Sequence, residues 1–158
     1  MNLKLLDDLN SSTYLIEHSE AVLAKALEIA TNFDVDLEIV RAGALLHDVG
    51  RNKTQGICHG VEGAQILKEQ GFPKDVVRIA EVHIGAGIPR DEAGLLGLPC
   101  QDYLPVTLEE KIVAHADNLI HGTREVSLEF VVEKWKKSMG KNHPSIDRLR
   151  KLHGELII

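Results

Sequence analysis

Glycines, prolines and capping residues interrupt this chain at intervals of about one helix length, and no other feature constrains its fold as strongly. They divide the chain into about seven segments, in which apolar residues recur with a helical period. Ser11 or Ser12 can cap the first long helix, which is predicted to continue to about Asn32. Its apolar face includes His18 and is otherwise formed by Leu15, Val22, Ala26 and Ile29.

The remaining helix boundaries follow from the same kinds of residue. Gly50 can act as a left-handed terminator, and Thr107 with Glu110 three residues later forms a capping box. Further helices are predicted from near Asp36 to His47-Asp48, from His59 to Gln70 before Gly71, from Pro73 to about His83, from Thr107 through Asp117, from Ser127 to Met139 before Gly140, and from Pro144 to the C-terminus.

Residues 85 to about 106 form one long stretch without a sustained period. Connections of this length are usually functional lids or mobile segments. The sequence leaves open whether Arg90–Leu96 forms a short helix within this stretch, and whether the stretch contains a very short β-pair.

Composition decides between helices and strands. Only 4% of the residues are aromatic, so the core must be built from Leu, Ile, Val and Ala, which suits packed helices better than a sandwich of strands. A chain of 158 residues suffices for one domain with its own core. We therefore predict an all-α, single-domain helical bundle over residues 1–158, with a core of 15–125 and C-terminal helices at 126–158.

Charge and cysteine content narrow the function. The formal charge is −6 and there is no basic run, which argues against general nucleic-acid binding but not against a small anionic substrate at a metal ion. No segment has the apolar length of a signal peptide or a membrane span, so we expect a cytoplasmic protein. Cys58 and Cys100 are expected to be reduced thiols, with Cys58 as a small buried hydrophobe.

The pair His47-Asp48 ends an apolar run and combines an imidazole with a carboxylate, a ligand mixture that suits divalent Fe, Mn, Co, Ni or Zn. Six such side chains occur in or at the ends of predicted helices: His18, His47, Asp48, His59, His83 and Asp117. If these helices converge, the six residues can hold one or two ions. Such ions polarise a phosphoryl oxygen and generate a hydroxide nucleophile near neutral pH.

Each residue also has an ordinary structural alternative. A histidine on an apolar helix face is often a hydrogen-bonded core residue, and His47-Asp48 alone could be a polar last helical turn. His59 and His83 could be caps or substrate contacts. His115 is assigned to another face of its helix than Asp117. The remaining histidines are assigned to the surface: His121, His143 and His153.

Several motifs together resemble the HD-domain superfamily of metal-dependent phosphohydrolases. They are His18, ALLHDVGR (44–51), CHGVEGA (58–64), His83 ahead of GAGIP (85–89), and EKIVAHADNL (110–119). The resemblance implies that His18, His47, Asp48 and Asp117 hold one divalent metal. It implies further that His59 and His83 hold a second, bridged by Asp48.

The motif order is most similar to that of the small bacterial diadenosine-tetraphosphate hydrolases and related stand-alone archaeal and bacterial HD proteins. Two departures are Arg51, where Lys is usual, and the absence of an acidic residue directly after Asp117. The tandem histidine typical of cyclic-dinucleotide phosphodiesterases is also absent, because Ile84 follows His83.

The resemblance implies a phosphohydrolase of nucleotides or dinucleotides that uses metal-hydroxide attack on phosphorus. Asp48 and Arg51 are then the catalytic residues, and Arg51, Arg90 and Arg124 contact the substrate. Alternatives are a hydrolase of nucleoside monophosphates or another small phosphoester, a non-catalytic nucleotide-binding module, and a di-iron oxygenase. The sequence also leaves undecided whether the apolar tail Leu156-Ile157-Ile158 packs on the core or forms a homodimer contact.

Overall fold

The computed structural model describes residues 2–158, with side chains from Lys4 onwards, and most of this part is helical. Its helices are α1 (Asn2–Asp8), α2 (Thr13–Ala30), α3 (Leu37–Leu46), a 3-10 turn (Val49–Asn52), α4 (His59–Glu69), α5 (Lys74–Val82), α6 (Arg90–Leu95), α7 (Leu108–Asn118), α8 (Leu128–Met139) and α9 (Pro144–Leu156). Strands β1 (Ile120–His121) and β2 (Arg124–Glu125) form a minimal antiparallel hairpin. The predicted all-α class is confirmed.

The predicted caps begin the long helices. The Ser12 hydroxyl accepts from the Leu15 amide, and the Ser127 hydroxyl accepts from the Phe130 amide. Thr107 and Glu110 form the full reciprocal capping box, which starts α7. Nine α-helices lie in the described residues, instead of the predicted seven or so. The difference comes from α1 and α6, which are each shorter than two turns and so show too little of a helical period to be counted from the sequence.

Gly50 is not the left-handed terminator that the sequence predicted. It lies in the 3-10 turn outside the positive-φ region, and it is required for a different reason. A Cβ atom at Gly50 would lie 1.8 Å from the carbonyl oxygen of His59 and 2.6 Å from the amide nitrogen of Gly63. The backbone of the turn therefore packs directly on the backbone of α4.

Two other glycines bring helices close together. A Cβ at Gly60 of α4 would lie 3.1 Å from the carbonyl oxygen of Ala80 in α5. A Cβ at Gly43 of α3 would lie 2.5 Å from the Ile79 side chain, also in α5. The ends of α3, α4 and α5 are thus held within backbone-to-backbone or backbone-to-methyl distance of one another.

Residues 85–106 form a layer built around α6. Ile88 and Tyr103 form a β-bridge, which confirms that a short pairing is possible in this segment. Buried side chains of the segment pack on Val82 at the end of α5. The segment is tied to α9 by a bidentate ion pair between the Arg148 guanidinium and Glu92 of α6, at 2.7 and 3.1 Å.

The C-terminal helices complete the main core. Val131 and Val132 of α8 and Leu149 of α9 are buried against α2 and α7. In the tail, Leu156 is buried, whereas Ile158 is exposed. None of the helices in residues 2–158 has the combination of length and hydrophobicity that crossing a bilayer requires.

Candidate metal centre

Six side chains from five separate segments converge at one end of the bundle. His18 lies in the second turn of α2, His47 and Asp48 follow α3, His59 begins α4, His83 follows α5, and Asp117 lies in the last turn of α7. The clustering follows from the close contacts described above, because the ends of α3, α4 and α5 meet there. These are the six residues selected from the sequence: His18, His47, Asp48, His59, His83 and Asp117.

Each of the four imidazoles is oriented through its Nδ1 atom. This nitrogen donates to a backbone carbonyl oxygen in every case: Ala44 for His47 (2.7 Å), Gly56 for His59 (2.8 Å), Ala80 for His83 (2.7 Å), and Gly122 for His18. A ring that donates through Nδ1 carries the Nε2 lone pair when neutral. This is the usual orientation of a metal-binding histidine.

The two oxygens of Asp48 face two different groups of histidines. Oδ2 lies 3.5 Å from Nε2 of His47 and 3.6 Å from Nε2 of His18. Oδ1 lies 3.2 Å from Nε2 of His83 and 3.4 Å from Nε2 of His59. Asp48 therefore belongs both to a four-residue group with His18, His47 and Asp117 and to a three-residue group with His59 and His83.

Several of these atoms face one another without suitable hydrogen-bond partners. The Nε2 atoms of His59 and His83 are 3.2 Å apart, although both rings donate through Nδ1. Among the described residues, the buried Asp48 Oδ1 and His47 Nε2 have no hydrogen bond of acceptable geometry. Buried lone pairs that converge in this way are costly unless a cation lies among them. The donor set of the two groups therefore fits a divalent transition metal.

The cluster also separates charge in a way that favours cations. Burial disfavours the charged forms of both carboxylates, but His47 opposes it and holds the pKa values of Asp48 and Asp117 below their ordinary range. Burial likewise lowers the pKa of His83, and Asp48 offsets this only in part. Burial also disfavours the charged forms of His18 and His47, but the carboxylates of the cluster outweigh it and raise the pKa values of both rings. A bound cation would take the place of the protons that these two rings hold. Near neutral pH the site thus presents ionised carboxylates beside the neutral imidazole of His83.

A cavity of about 1150 Å³ opens directly from the cluster. Its opposite wall comes from α8 and includes Phe130, Lys134 and Trp135. Its rim is apolar and open, since Tyr14 is 65% exposed and Leu95 is 89% exposed. The volume suffices for a nucleotide or a dinucleotide.

The three predicted substrate arginines lie in different places. Arg51 lines the cavity, with its Nε atom 3.4 Å from Asp48 Oδ1 and one guanidinium nitrogen donating to the Gln55 carbonyl. Arg90 and Arg124 are exposed and do not line the cavity, because the start of α6 and the β-hairpin carry them outward. Of the three, only Arg51 is brought together with the cluster.

The other histidines and the cysteines correct two expectations. His115 is directed away from the cluster, as predicted, but it is fully buried and its Nε2 lies 2.9 Å from Nδ1 of His153. His153 is thus partly buried, and so is His143, whose Nδ1 accepts from the Ser145 amide at the start of α9. Of the three histidines assigned to the surface, only His121 is exposed. Cys58 is exposed, so its prediction as a buried hydrophobe was wrong; it directly precedes α4, whose buried side begins at His59.

Sequence reasoning missed the groups that complete the site. The Gly122 carbonyl, which orients His18, is placed by the turn between β1 and β2, and Gly122 has a φ of +68°. The dipeptide Gly122-Thr123 was the available signal, since glycine is common in two-residue hairpin loops. The α8 wall was missed because no local pattern shows which helix covers a cavity.

Comparisons with known proteins agree with this geometry. The HD domain family matches residues 15–121. An uncharacterized protein of Methanocaldococcus jannaschii is 54% identical over 159 residues, which covers 98% of this chain and 94% of that protein. A tRNA (cytidine(56)-2'-O)-methyltransferase of Thermoplasma volcanium is 47% identical over 96% of this chain, but the chain spans only 44% of that protein.

Solved structures share the fold. The HD domain of the L. monocytogenes phosphodiesterase PgpH matches 96% of this chain and 94% of that domain, with a TM-score of 0.60 at 21% identity. The same domain in complex with cyclic-di-AMP also gives a TM-score of 0.60, at 19% identity over 99% of this chain and 97% of that domain. The match to the family, over the same stretch that carries the six converging residues, establishes that this chain belongs to the HD-domain family.

Proposed function

We propose that this chain is a metal-dependent phosphohydrolase that cleaves phosphoester bonds of nucleotides or dinucleotides. The observation that carries the proposal is the convergence of four Nε2 atoms on two carboxylates, with each ring fixed through Nδ1. We assign His18, His47, Asp48 and Asp117 to one divalent ion, and Asp48, His59 and His83 to a second. The ions are Fe, Mn, Co, Ni or Zn.

Two adjacent divalent ions supply Lewis acidity toward a phosphoryl oxygen and make water a nucleophile near neutral pH. The residues of the chain provide the conditions for that chemistry. The backbone carbonyls hold the imidazoles in one tautomer, and Asp48 fixes the spacing of the two groups through its two oxygens. Water is the co-reactant: it adds to phosphorus, one phosphorus–oxygen bond breaks, and the leaving oxygen takes up the proton.

Arg51 is proposed to hold the phosphate. Its guanidinium lies in the cavity beside Asp48, where it can bind two phosphate oxygens at once and stabilise the charge that develops on them. The hydrogen bond to the Gln55 carbonyl restricts its movement. Arg90 and Arg124 are retained as substrate contacts only for a ligand that extends well beyond the cavity.

Cavity size and lining favour a nucleotide over a small phosphoester. Trp135, Phe130 and Tyr14 offer aromatic faces within one space of about 1150 Å³ that also contains the cluster. Such faces suit the stacking of nucleobases. The related L. monocytogenes domain was crystallised with cyclic-di-AMP, which agrees with a substrate of this class.

The test combines metal analysis with hydrolysis. Protein reconstituted with Mn, Fe or Co should retain about two equivalents of metal and hydrolyse bis(p-nitrophenyl) phosphate or a nucleotide. Lack of metal retention after reconstitution would contradict the assignment and favour a non-catalytic nucleotide-binding module. Retention of iron with oxygen consumption on a phosphate-free substrate, and no hydrolysis, would favour a di-iron oxygenase instead.

A further inference from the structure

His18 is oriented differently from the other three imidazoles of the cluster. The Nδ1 atoms of His47, His59 and His83 each donate to the carbonyl oxygen three residues earlier in the chain, so local structure fixes those rings. Nδ1 of His18 donates instead to the Gly122 carbonyl, which is 104 positions away. The orientation of His18 therefore depends on how the β1–β2 hairpin is held against α2.

The hairpin that carries this carbonyl has few contacts of its own. Each strand has two residues, and the register pairs Ile120 with Glu125 and His121 with Arg124. An isolated two-stranded hairpin is at best marginally stable in water. Ile120 anchors β1 in the core, but both side chains of β2 are exposed. The position of β2, and of the turn before it, thus depends on contacts outside the core.

Lys25 of α2 supplies such a contact. Its Nζ atom lies 2.7 Å from Oε1 of Glu125, and the lysine side chain is only 12% exposed. Lys25 also pairs with Glu28 at 3.0 Å, within α2 itself. Burial lowers the pKa of Lys25, but Glu125 and Glu28 outweigh it and raise this pKa above its ordinary value. The ammonium group is therefore charged at neutral pH and ties β2 to α2.

The two contacts of the hairpin with α2 have matching spacing. His18 and Lys25 are seven residues apart, which places them on one face of the helix and about 10.5 Å apart along its axis. Gly122 and Glu125 are three residues apart, and three extended residues span about 10 Å. Tyr14, one turn before His18, also lies against the turn, since a Cβ at Gly122 would be 3.7 Å from its hydroxyl. The hairpin is thus fixed along α2, with a carbonyl at His18 and a carboxylate at Lys25.

The hairpin is also connected to Asp117. β1 begins three residues after Asp117, and Oδ1 of this carboxylate lies 3.0 Å from Nε2 of His18. A displaced hairpin would therefore disturb the four-residue group. His59 and His83 of the three-residue group are oriented by carbonyls elsewhere in the fold.

We infer that Lys25 and Glu125 are positioning residues for the ion of the four-residue group. Their ion pair holds the hairpin along α2, and the Gly122 carbonyl then fixes the His18 ring so that its Nε2 atom faces the ion. The inference rests on the proposed function for the assignment of that ion, and it adds two residues that do not line the cavity. It implies that the two ions depend on different parts of the chain.

Metal affinity at each group can be measured separately. The test variant is Glu125→Gln, which keeps the size of the side chain and removes its charge. Glu28→Gln is the matched control, because it removes a carboxylate that pairs with the same lysine but belongs to α2. Both substitutions are made in a His59→Ala background, which leaves only the four-residue group intact, and in a His18→Ala background, which leaves only the three-residue group intact. The affinity for Co²⁺ is measured by competition with a coloured chelator.

In the His59→Ala background, Glu125→Gln should weaken cobalt binding by about 10-fold, at the lower end of the effect of losing a group that orients a metal-binding histidine. Glu28→Gln should leave the affinity unchanged. In the His18→Ala background, neither substitution should change it. Urea unfolding of the metal-free proteins should give the same free energy for Glu125→Gln and Glu28→Gln, since each removes one exposed carboxylate.

Equal cobalt affinities of the test and control variants in the His59→Ala background would overturn the inference. An equal loss in both backgrounds would overturn it too, because a general loosening of the fold does not distinguish the two groups. Absence of cobalt binding in both parent backgrounds would refute the metal assignment and the inference with it.

Hydrolysis separates the inference from the proposed function. If Glu125→Gln weakens cobalt binding as expected but the wild type cleaves no phosphoester, the positioning role stands and the phosphohydrolase assignment is wrong. If the wild type cleaves bis(p-nitrophenyl) phosphate but Glu125→Gln binds cobalt as Glu28→Gln does, the reverse holds.

Discussion

The Nε2 atoms of His59 and His83 lie 3.2 Å apart, although the two residues are 24 positions apart in the sequence. Each ring donates through Nδ1 to the carbonyl oxygen three residues before it, Gly56 for His59 and Ala80 for His83. The same local geometry at the ends of two helices therefore aims two lone pairs at one point. Asp48 Oδ1 is 3.2 to 3.4 Å from both nitrogens, which makes this point suitable for a cation.

Asp48→Ala should remove both ions, because its two oxygens face both groups of histidines. His59→Ala should remove only the ion of the three-residue group, so the metal content should fall from about two equivalents to about one. Metal analysis after gel filtration measures both effects, and phosphodiester hydrolysis should be lost in both variants.

Lys111→Ala is the matched control for these substitutions. Lys111 lies on α7 together with Asp117, but its ammonium group pairs with Glu155 at 3.0 Å on the outer side of the helix. Metal content and hydrolysis should be unchanged in this variant. Full hydrolytic activity in Asp48→Ala would refute the assignment of the site.

Arg51→Ala should lower the hydrolysis rate by about 10- to 100-fold without changing metal content, because a charge-assisted contact to phosphate contributes roughly 1.5–3 kcal/mol. Arg51→Lys should restore only part of the rate, since an ammonium group cannot bind two oxygens in the same geometry. Steady-state kinetics together with metal analysis measures both.

Arg90→Ala and Arg124→Ala serve as comparisons for Arg51. Both side chains are exposed and neither lines the cavity, so hydrolysis of a small phosphodiester should be unchanged. A loss in either variant as large as that in Arg51→Ala would show that substrate extends outside the cavity even when it is small.

The stability of the chain should depend on pH through His115. Burial, with smaller contributions from His153 and Lys25, lowers the pKa of His115 to about 3, from an ordinary value of 6.5. Between these values the unfolded chain binds a proton that the folded chain does not, so stability falls as the pH falls below 6.5. At pH 5 the expected loss is roughly 2 kcal/mol.

Urea unfolding of metal-free protein at pH 7 and pH 5 tests this dependence. His115→Gln should lose about 2 kcal/mol less than the wild type between the two pH values. His121→Gln, at an exposed position, should behave as the wild type does. Identical pH dependence in the wild type and His115→Gln would show that His115 is not the group responsible.

Gly50→Ala should destabilise the fold by about 1–3 kcal/mol or more, because the new methyl group would meet the backbone of α4, which cannot move aside as a side chain can. Gly94→Ala in α6 is the control, since its Cβ would meet no heavy atom within 4 Å. It should raise the free energy of unfolding by up to about 1 kcal/mol. A neutral Gly50→Ala substitution would contradict the close contact.

Local patterns predicted the helices well. Ser12, Ser127 and the Thr107–Glu110 box begin helices where the sequence placed them, because a cap depends on residues within one turn. The six converging residues were also selected from the sequence, through motif resemblance and their positions at helix ends. Their mutual distances could not be predicted, because they depend on how α3, α4 and α5 cross.

The errors share a physical cause. Gly50 was assigned to a left-handed helix end, but it is required by a contact with α4, a segment outside its own turn. Cys58 was assigned to the core, but its neighbour His59 occupies the buried side. In each case a property of nearby residues was used where the outcome depended on distant ones.

The backbone contact between Gly50 and α4 fixes one side of the cavity, whereas the opposite side can be altered by substitution. It sets the spacing of the histidine groups without any intervening side chain, whereas α8, which supplies the opposite cavity wall, packs chiefly on α9. Replacing residues on α8 should therefore redirect this scaffold toward new ligands while the distances among His47, Asp48 and His59 stay fixed. Engineers who wish to alter selectivity would begin with that helix.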